Sequence, residues 1–314
     1  MKLLYFDDFR LGVLKDGDSV VDIDDVVASV PRARREDVIV GVIEQFAQLR
    51  APIEEFVARS SGVPLESVRV RPPLPRPANF VCMHANYLEY GTRPEPPRID
   101  AFLRSANTII GHGDTMVMPD EPLTIFEGEA ELAVVIGKPA SHVSEADALD
   151  HVFGYLNFID GSARGLGGPR SQIYRRKSRE TFAPIGPYLV TADEIPDPQN
   201  VDVKLWNNGT LFQDFNTDDM AYSIAKCIEW VSSIHPLEPG DILATGTNHG
   251  GLNPFQNGDV IELECAGLGR LKVRVRDDLE REWKRESRAQ RKQQGLEGQT
   301  PQINGKYTPA VKGV

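Results

Sequence analysis

Cysteine is scarce in this chain: Cys82, Cys227 and Cys265 are its three, odd in number and widely spaced. They form no CxxC, so neither a disulfide framework nor a thiolate zinc site is indicated, and all three read as small apolar packing residues. Long hydrophobic runs are also missing. No apolar stretch approaches the roughly 18 residues that span a bilayer, and the opening MKLLYFDDFR turns acidic before a signal-peptide core forms. A cytoplasmic protein without a membrane partner is expected. Positive charge is in deficit, with 35 Lys and Arg against 46 Asp and Glu, a net −11. Such a field repels phosphate backbones, so nucleic acid is not an expected partner. What is present is a 314-residue chain, 40% hydrophobic, with 27 Gly and 23 Pro. That is enough to bury a sizeable core, and the turn residues favour short strands over a helical bundle.

The predicted fold class is α+β, mostly β. LLYF, then RLGVL and SVVDI on either side of Asp16-Gly17, read as an opening strand and a β-hairpin. Apolar positions from Val38 to Phe46 recur at helical spacing, and Pro52 suits the first turn of a second helix. Residues 1–75 are thus expected to form a small α+β domain. RVRPPLPRPAN, with four prolines over residues 69–79, reads as an extended linker. Residues 76–276 then carry many short Val-, Ile- and Leu-rich segments bounded by turn residues, with one helix predicted over Asp219–Ser233. Residues 277–314 form a charged tail; counted from Arg276, nine Lys and Arg against six Asp and Glu make it the basic part of an acidic chain. It reads either as a basic surface or as an arm over a partner subunit.

The strongest chemical clue is IFEGEAELAVVIGK. In a strand, residues two apart share a face, so Glu127, Glu129 and Glu131 repel one another unless they face water or a cation. A solvated edge is one reading, but Glu131 leads directly into the buried-looking LAVVIG, where an unpaired carboxylate is costly. Asp160 ends another apolar run, VFGYLNFID, as either a site residue or a turn cap.

In order along the chain, these segments resemble motifs of the fumarylacetoacetate hydrolase family over about residues 77–276: Asn86-Tyr87, Glu129 to Lys138, Gly154 to Arg164, Lys177 to Pro187, Asn208 to Met220, and Leu237 to Thr247. The resemblance implies a β-rich catalytic domain, usually a homodimer, binding Mg²⁺, with Mn²⁺ or Ca²⁺ as alternatives, through Glu129, Glu131 and Asp160. Hard cations prefer such oxygen ligands. It makes Glu127 a neighbour of the site or simply an exposed acid, and Lys177 a cationic donor beside a developing enolate. Arg164 is expected to hold Asp160 or a substrate carboxylate, while Tyr87, Gln213 and Thr247 are candidate substrate contacts.

The chain departs from the resemblance where many members carry a His and a Glu on a lid that activates water. Tyr90 stands at the histidine position and Arg93 at the glutamate position. His249, in TGTNHGG, and His84 are the candidate replacements, since imidazole is a base near neutral pH. Arg104 replaces a common lysine, and Gly165 a common aspartate. The expected activity is metal-dependent hydrolysis of a carbon–carbon bond in a 1,3-dicarbonyl or acylpyruvate-like acid, so the expected partner is a small oxo-acid substrate. Decarboxylation of a 2-oxo acid and keto–enol isomerisation on the same metal are the alternatives, and a silent binding module is a third reading.

Overall fold

The acidic segment and the apolar run after it form one strand, Ile125–Ile136, in a computed structural model of the chain. The structure describes residues 1–31, 33–93, 95–166 and 173–309. This strand is buried along its whole length and pairs antiparallel with Val152–Arg164, placing Glu129 opposite Asp160 and Glu131 opposite Phe158. Side chains alternate across the pair. Leu132, Val134, Tyr155 and Ile159 enter one core, whereas Ala133, Val135, Leu156 and Phe158 enter another. By the same alternation Glu127, Glu129, Glu131 and Asp160 continue the second face, beyond the point where apolar side chains cover it.

Among the described residues the main sheet has twelve strands. Ala183–Thr191 flanks the central pair on one side, and Ile242–Ala244 followed by Phe80–Met83 flank it on the other. The opening hairpin forms around Asp16-Gly17, both at positive φ, as a tight turn between right-twisted strands requires. Lys2–Phe6 pairs with Ala183–Thr191, so the first strands extend the main sheet instead of forming a sheet of their own. Helices α1 (Val38–Glu44) and α2 (Phe46–Arg59) pack Val38, Ile39, Val42 and Ile53 into the second core. Pro52 lies inside α2 and not in its first turn, because Gln45 O already accepts from Gln48 N and Leu49 N and starts the helix earlier. A second sheet of five strands, from Thr210–Asn216 across to Thr115–Val117, covers the other face. All three cysteines are buried and unpaired in disulfides.

Two further expectations need adjusting. The helix predicted from Asp219 begins later: α4 spans Ile224–Ser232, because the Ser223 hydroxyl caps it at Lys226 N and Thr217–Asp219 forms a separate 3₁₀ turn. The charged tail folds back on its own chain. Glu282–Trp283 pairs with Gln302–Asn304, Trp283 Nε1 donates to Thr124 O at 2.8 Å, and a short helix α5 (Arg288–Gln293) opens with a Ser287/Gln290 capping box. Among the described residues, no helix is long and apolar enough to cross a membrane.

Candidate metal centre

Glu129, Glu131 and Asp160 converge, each offering an oxygen within 4.8 Å of the others, and all three are buried. The central strand supplies the first two at alternate positions, and its partner supplies the third in register. Around them runs a row of alternating charge. Arg288 pairs with Glu127, Glu127 with Arg164, Arg164 with Glu129, Glu129 with Lys177, Lys177 with Asp160, and Asp160 with Arg104. Lys177, at the end of α3 (Ile173–Lys177), bridges two of the three carboxylates, at 2.8 Å from Glu129 Oε2 and 2.5 Å from Asp160 Oδ2. Its ammonium also lies 5.5 Å from the centre of the Phe102 ring.

Glu131 is different, because no cation among the described residues forms an ion pair with it. Its Oε2 accepts from Gly246 N at 2.8 Å, and Gly246 has a φ of 88°, a conformation that a side chain would strain. Burial, with Asp160 and Glu129 close by, pushes the Glu131 carboxyl well above its ordinary range. Glu129 shifts the opposite way: burial opposes ionisation, but the Lys177 and Arg164 charges outweigh it and hold the carboxyl well below its ordinary range. Three oxygen donors, one of them a buried acid that a divalent cation would stabilise in its ionised form, fit a Mg²⁺, Mn²⁺ or Ca²⁺ site.

One cavity reaches this centre and a second adjoins the first. A small inner one of about 50 Å³ touches Glu129, Arg164, Lys177 and Thr247, and an outer one of about 730 Å³ opens beyond it. His84, Ala85 and His249 line both, so they stand at the junction. Both candidate histidines therefore lie beside the centre. Of the two, His249 alone has a carboxylate partner among the described residues: its Nδ1 donates to Glu89 Oε1 at 2.8 Å, and Arg93 Nη2 donates to the same oxygen at 3.2 Å. The His249 hydrogen bond is the main reason the Glu89 carboxyl is lowered to about 2. Burial, then Lys177, lowers His84. Asp219 fastens the two loops together, accepting from Tyr90 N at 2.9 Å and from Asn248 Nδ2 at 3.1 Å. Glu89 and Tyr90 both have positive φ, so the carboxylate sits on backbone that the fold must hold in place.

Several expected roles change. Glu127 is not an exposed acid; it is buried, held between Arg164 and Arg288. Arg164 grips Glu127 and Glu129, while Asp160 belongs to Arg104 and Lys177. Tyr87 is a core residue, fully buried edge-on against Phe215, and lines neither cavity. Gln213 is also withdrawn from both. Its carbonyl accepts from Ala130 N, and its amide donates to Thr247 Oγ1 and Asn248 O, so it positions the turn that bears His249. Thr247 does line the inner cavity, with its hydroxyl donating to Ala130 O at 2.7 Å. Tyr90, at the expected histidine position, is 61% exposed, with its hydroxyl accepting from Asn216 N. Glu89, Arg288 and the loop-bracing role of Asp219 have no signal in the sequence. Glu89 lies 160 positions from the histidine it meets, and no local spacing signals that pairing.

Residues 78–276 match the family described as fumarylacetoacetate hydrolase, C-terminal. An oxaloacetate tautomerase, YisK, of Bacillus subtilis is 37% identical over 225 residues, covering 67% of this chain and 74% of the relative. A maleylpyruvate hydrolase from Sphingobium sp. SYK-6, solved with manganese(II) and pyruvate, superposes with a TM-score of 0.80 at 34% identity, covering 88% of this chain and 99% of that one. A 2-hydroxyhepta-2,4-diene-1,7-dioate isomerase from Mycobacterium marinum gives a TM-score of 0.63 at 31% identity over 70% of this chain and 82% of its own. The carboxylate triad lies inside the matched region, and the fold extends the likeness well beyond it. The chain belongs to the fumarylacetoacetate hydrolase family.

Proposed function

We propose that this protein adds water across a carbon–carbon bond of an acylpyruvate-like acid, with Mg²⁺ as its working metal. The observation that carries this reading is His249 at the junction of the two cavities, oriented by Glu89 from the outer one, because it offers a base where the expected lid histidine and glutamate are absent. A divalent cation held by Glu129, Glu131 and Asp160 would supply Lewis acidity to the 2-oxo-acid end of the substrate. In a substrate R–CO–CH₂–CO–COO⁻, the water oxygen bonds to the outer carbonyl carbon as His249 takes its proton. The bond from that carbon to the CH₂ then breaks, and its electron pair passes into the enolate of pyruvate. His249 returns the proton to the enolate carbon, so the products are pyruvate and the acid R–COOH. Lys177 provides a positive donor beside the enolate.

Keto–enol tautomerisation is the second reading, supported by the Bacillus relative and by Tyr90 and Arg93 at the lid positions. It needs the same enolate and proton carrier but no water. Metal-loaded protein incubated with maleylpyruvate separates the two. Pyruvate, detected with lactate dehydrogenase, and an equal amount of a second acid indicate hydrolysis. Absence of pyruvate release from maleylpyruvate, together with decay of enol absorbance when the same protein meets oxaloacetate, overturns the hydrolytic reading in favour of tautomerisation.

A further inference from the structure

When water adds to the outer carbonyl carbon, the π pair of that carbonyl moves onto its oxygen. Negative charge develops there before the carbon–carbon bond breaks, and none of the groups assigned so far meets it. With the 2-oxo-acid end of the substrate at the carboxylate triad, its outer carbonyl lies toward the junction, where His84, Ala85 and His249 line both cavities. Most donors around the inner cavity are already committed. Arg164 and Lys177 are held by carboxylates, Thr247 Oγ1 donates to Ala130 O, Gly246 N donates to Glu131, and His249 Nδ1 donates to Glu89. Arg176 has a partner as well. The His84 ring, in contrast, is exposed to the cavities and makes no hydrogen bond or ion pair with any described residue.

Its backbone is pinned on both sides. His84 directly follows Phe80–Met83, a strand held between Ile242–Ala244 and Ala101–Leu103, and its own N donates to Asp100 O at 2.8 Å. Two residues on, the buried Asn86 amide donates to Tyr222 O at 3.1 Å and to Thr245 O at 3.0 Å, and it accepts from Tyr222 N at 3.0 Å. Ala85 between them has a φ of 53°, a conformation that these anchors must hold in place. A fixed backbone carrying a ring with no internal partner is what a preorganised donor requires. The enclosing cavity walls, then the Lys177 charge, lower the His84 imidazole from its ordinary value, so near neutral pH it is uncharged and presents one N–H.

We infer that His84 is a catalytic residue, its ring N–H donating to the oxyanion that forms on the outer carbonyl oxygen while His249 holds the proton taken from water. As that carbonyl re-forms, the bond to the CH₂ breaks and its electron pair passes into the enolate, so His84 neither gains nor loses a proton. This rests on the hydrolytic reading given above.

The test compares Mn²⁺-loaded parent, His84→Ala and His84→Gln in turnover of maleylpyruvate and in calorimetric binding of two ligands. One ligand is pyruvate, which lacks the outer carbonyl. The other is the phosphinate CH₃–PO₂⁻–CH₂–CO–COO⁻, whose charged oxygens stand where the oxyanion forms. In His84→Ala, kcat should fall about 100-fold with KM nearly unchanged. Phosphinate affinity should fall by about the same factor as kcat/KM, while pyruvate affinity and melting temperature stay within about twofold and 2 °C of the parent. His84→Gln, which keeps an N–H but cannot carry a proton at neutral pH, should recover about tenfold or more of the lost kcat. Unchanged phosphinate affinity in His84→Ala, an equal loss for pyruvate, or a His84→Gln variant no faster than His84→Ala overturns the assignment of His84 alone. If the parent releases no pyruvate from maleylpyruvate, the hydrolytic reading fails first and the oxyanion donor falls with it.

Discussion

Lys177 occupies the position a cation should want, and replacing it tests the electrostatic logic of the centre. Its ammonium makes two charge-assisted hydrogen bonds, at 2.8 and 2.5 Å, to Glu129 and Asp160. In Lys177→Met both carboxylates lose that partner while remaining buried, which costs about 3 to 5 kcal/mol in metal-free protein. An unfolding entropy of about 2.1 cal/mol/K per residue gives roughly 0.66 kcal/mol/K for this length, so the variant should melt about 5 to 8 °C lower in EDTA. Divalent metal should bind more tightly, because it no longer competes with an ammonium for the same oxygens. The two bonds are together worth about 3 to 6 kcal/mol. If half of that opposes binding, roughly 1.5 to 3 kcal/mol is released, a gain in Mn²⁺ affinity of about 10- to 150-fold. Turnover should fall by about 100-fold or more, as a donor to the enolate is lost. Calorimetric titration of Mn²⁺ into chelator-stripped parent and variant, paired with melting curves with and without EDTA, reads both effects. Unchanged or weaker Mn²⁺ affinity in Lys177→Met would refute the reasoning.

Glu131→Gln keeps the shape of the proton-bearing acid, so metal-free protein should melt within about 2 °C of the parent while Mn²⁺ affinity drops by at least about 100-fold. Because the Glu131 carboxyl is raised, metal binding must expel its proton. Mn²⁺ affinity should therefore rise with pH, and the binding heat should depend on the buffer's ionisation enthalpy. In metal-free protein the sign for stability is the reverse: the raised carboxyl stabilises the fold below its ordinary value and loses that contribution as pH climbs through the folded one. Glu89 behaves oppositely, since a fall from 4.5 to about 2 gives stability that is present above pH 4.5 and lost between about pH 4.5 and 2. Glu89→Gln should remove that acid-sensitive component, about 1 to 2 kcal/mol once solvent screening is allowed for. It should also lower kcat about 10- to 100-fold with KM nearly unchanged, and Glu89→Asp should restore part of it. Asp219→Ala frees both loops, and faster amide exchange at residues 88–91 and 248–251 together, measured by mass spectrometry, would show that one carboxylate holds them.

The carboxylate triad was legible only in part: acids at alternate positions leading into an apolar run draw attention to Glu129 and Glu131, whereas Asp160 joined them, and Glu127 left them, through the family resemblance alone. The register that sets Glu129 against Asp160 was not legible, since it depends on a loop of irregular chain between two strands. The tail's charge was visible and its destination was not, because the residues that dock it, Trp283 on Thr124 and Arg288 on Glu127, find partners about 160 positions away. The same distance hid the Glu89–His249 pair. Tyr87 and Gln213 mislead in another way: both sit within motifs of the resemblance, but burial in the core makes them props of the site. The start of α4 was missed for a local reason, the Asn216-capped turn that interrupts the apolar stripe before Ser223.

The row of alternating charge ends in the tail, and that gives evolution an unusual handle. Ligand residues of a metal centre can hardly change without loss of the metal, whereas Arg288 reaches the centre only through Glu127, which lies outside the triad. Since Arg288 sets the company that Glu127 keeps, and through Arg164 that of Glu129, substitutions in the tail would alter the centre's surroundings while leaving all three triad carboxylates intact. A change of tail residue thereby reaches the centre's electrostatics from a segment that supplies none of the three triad carboxylates.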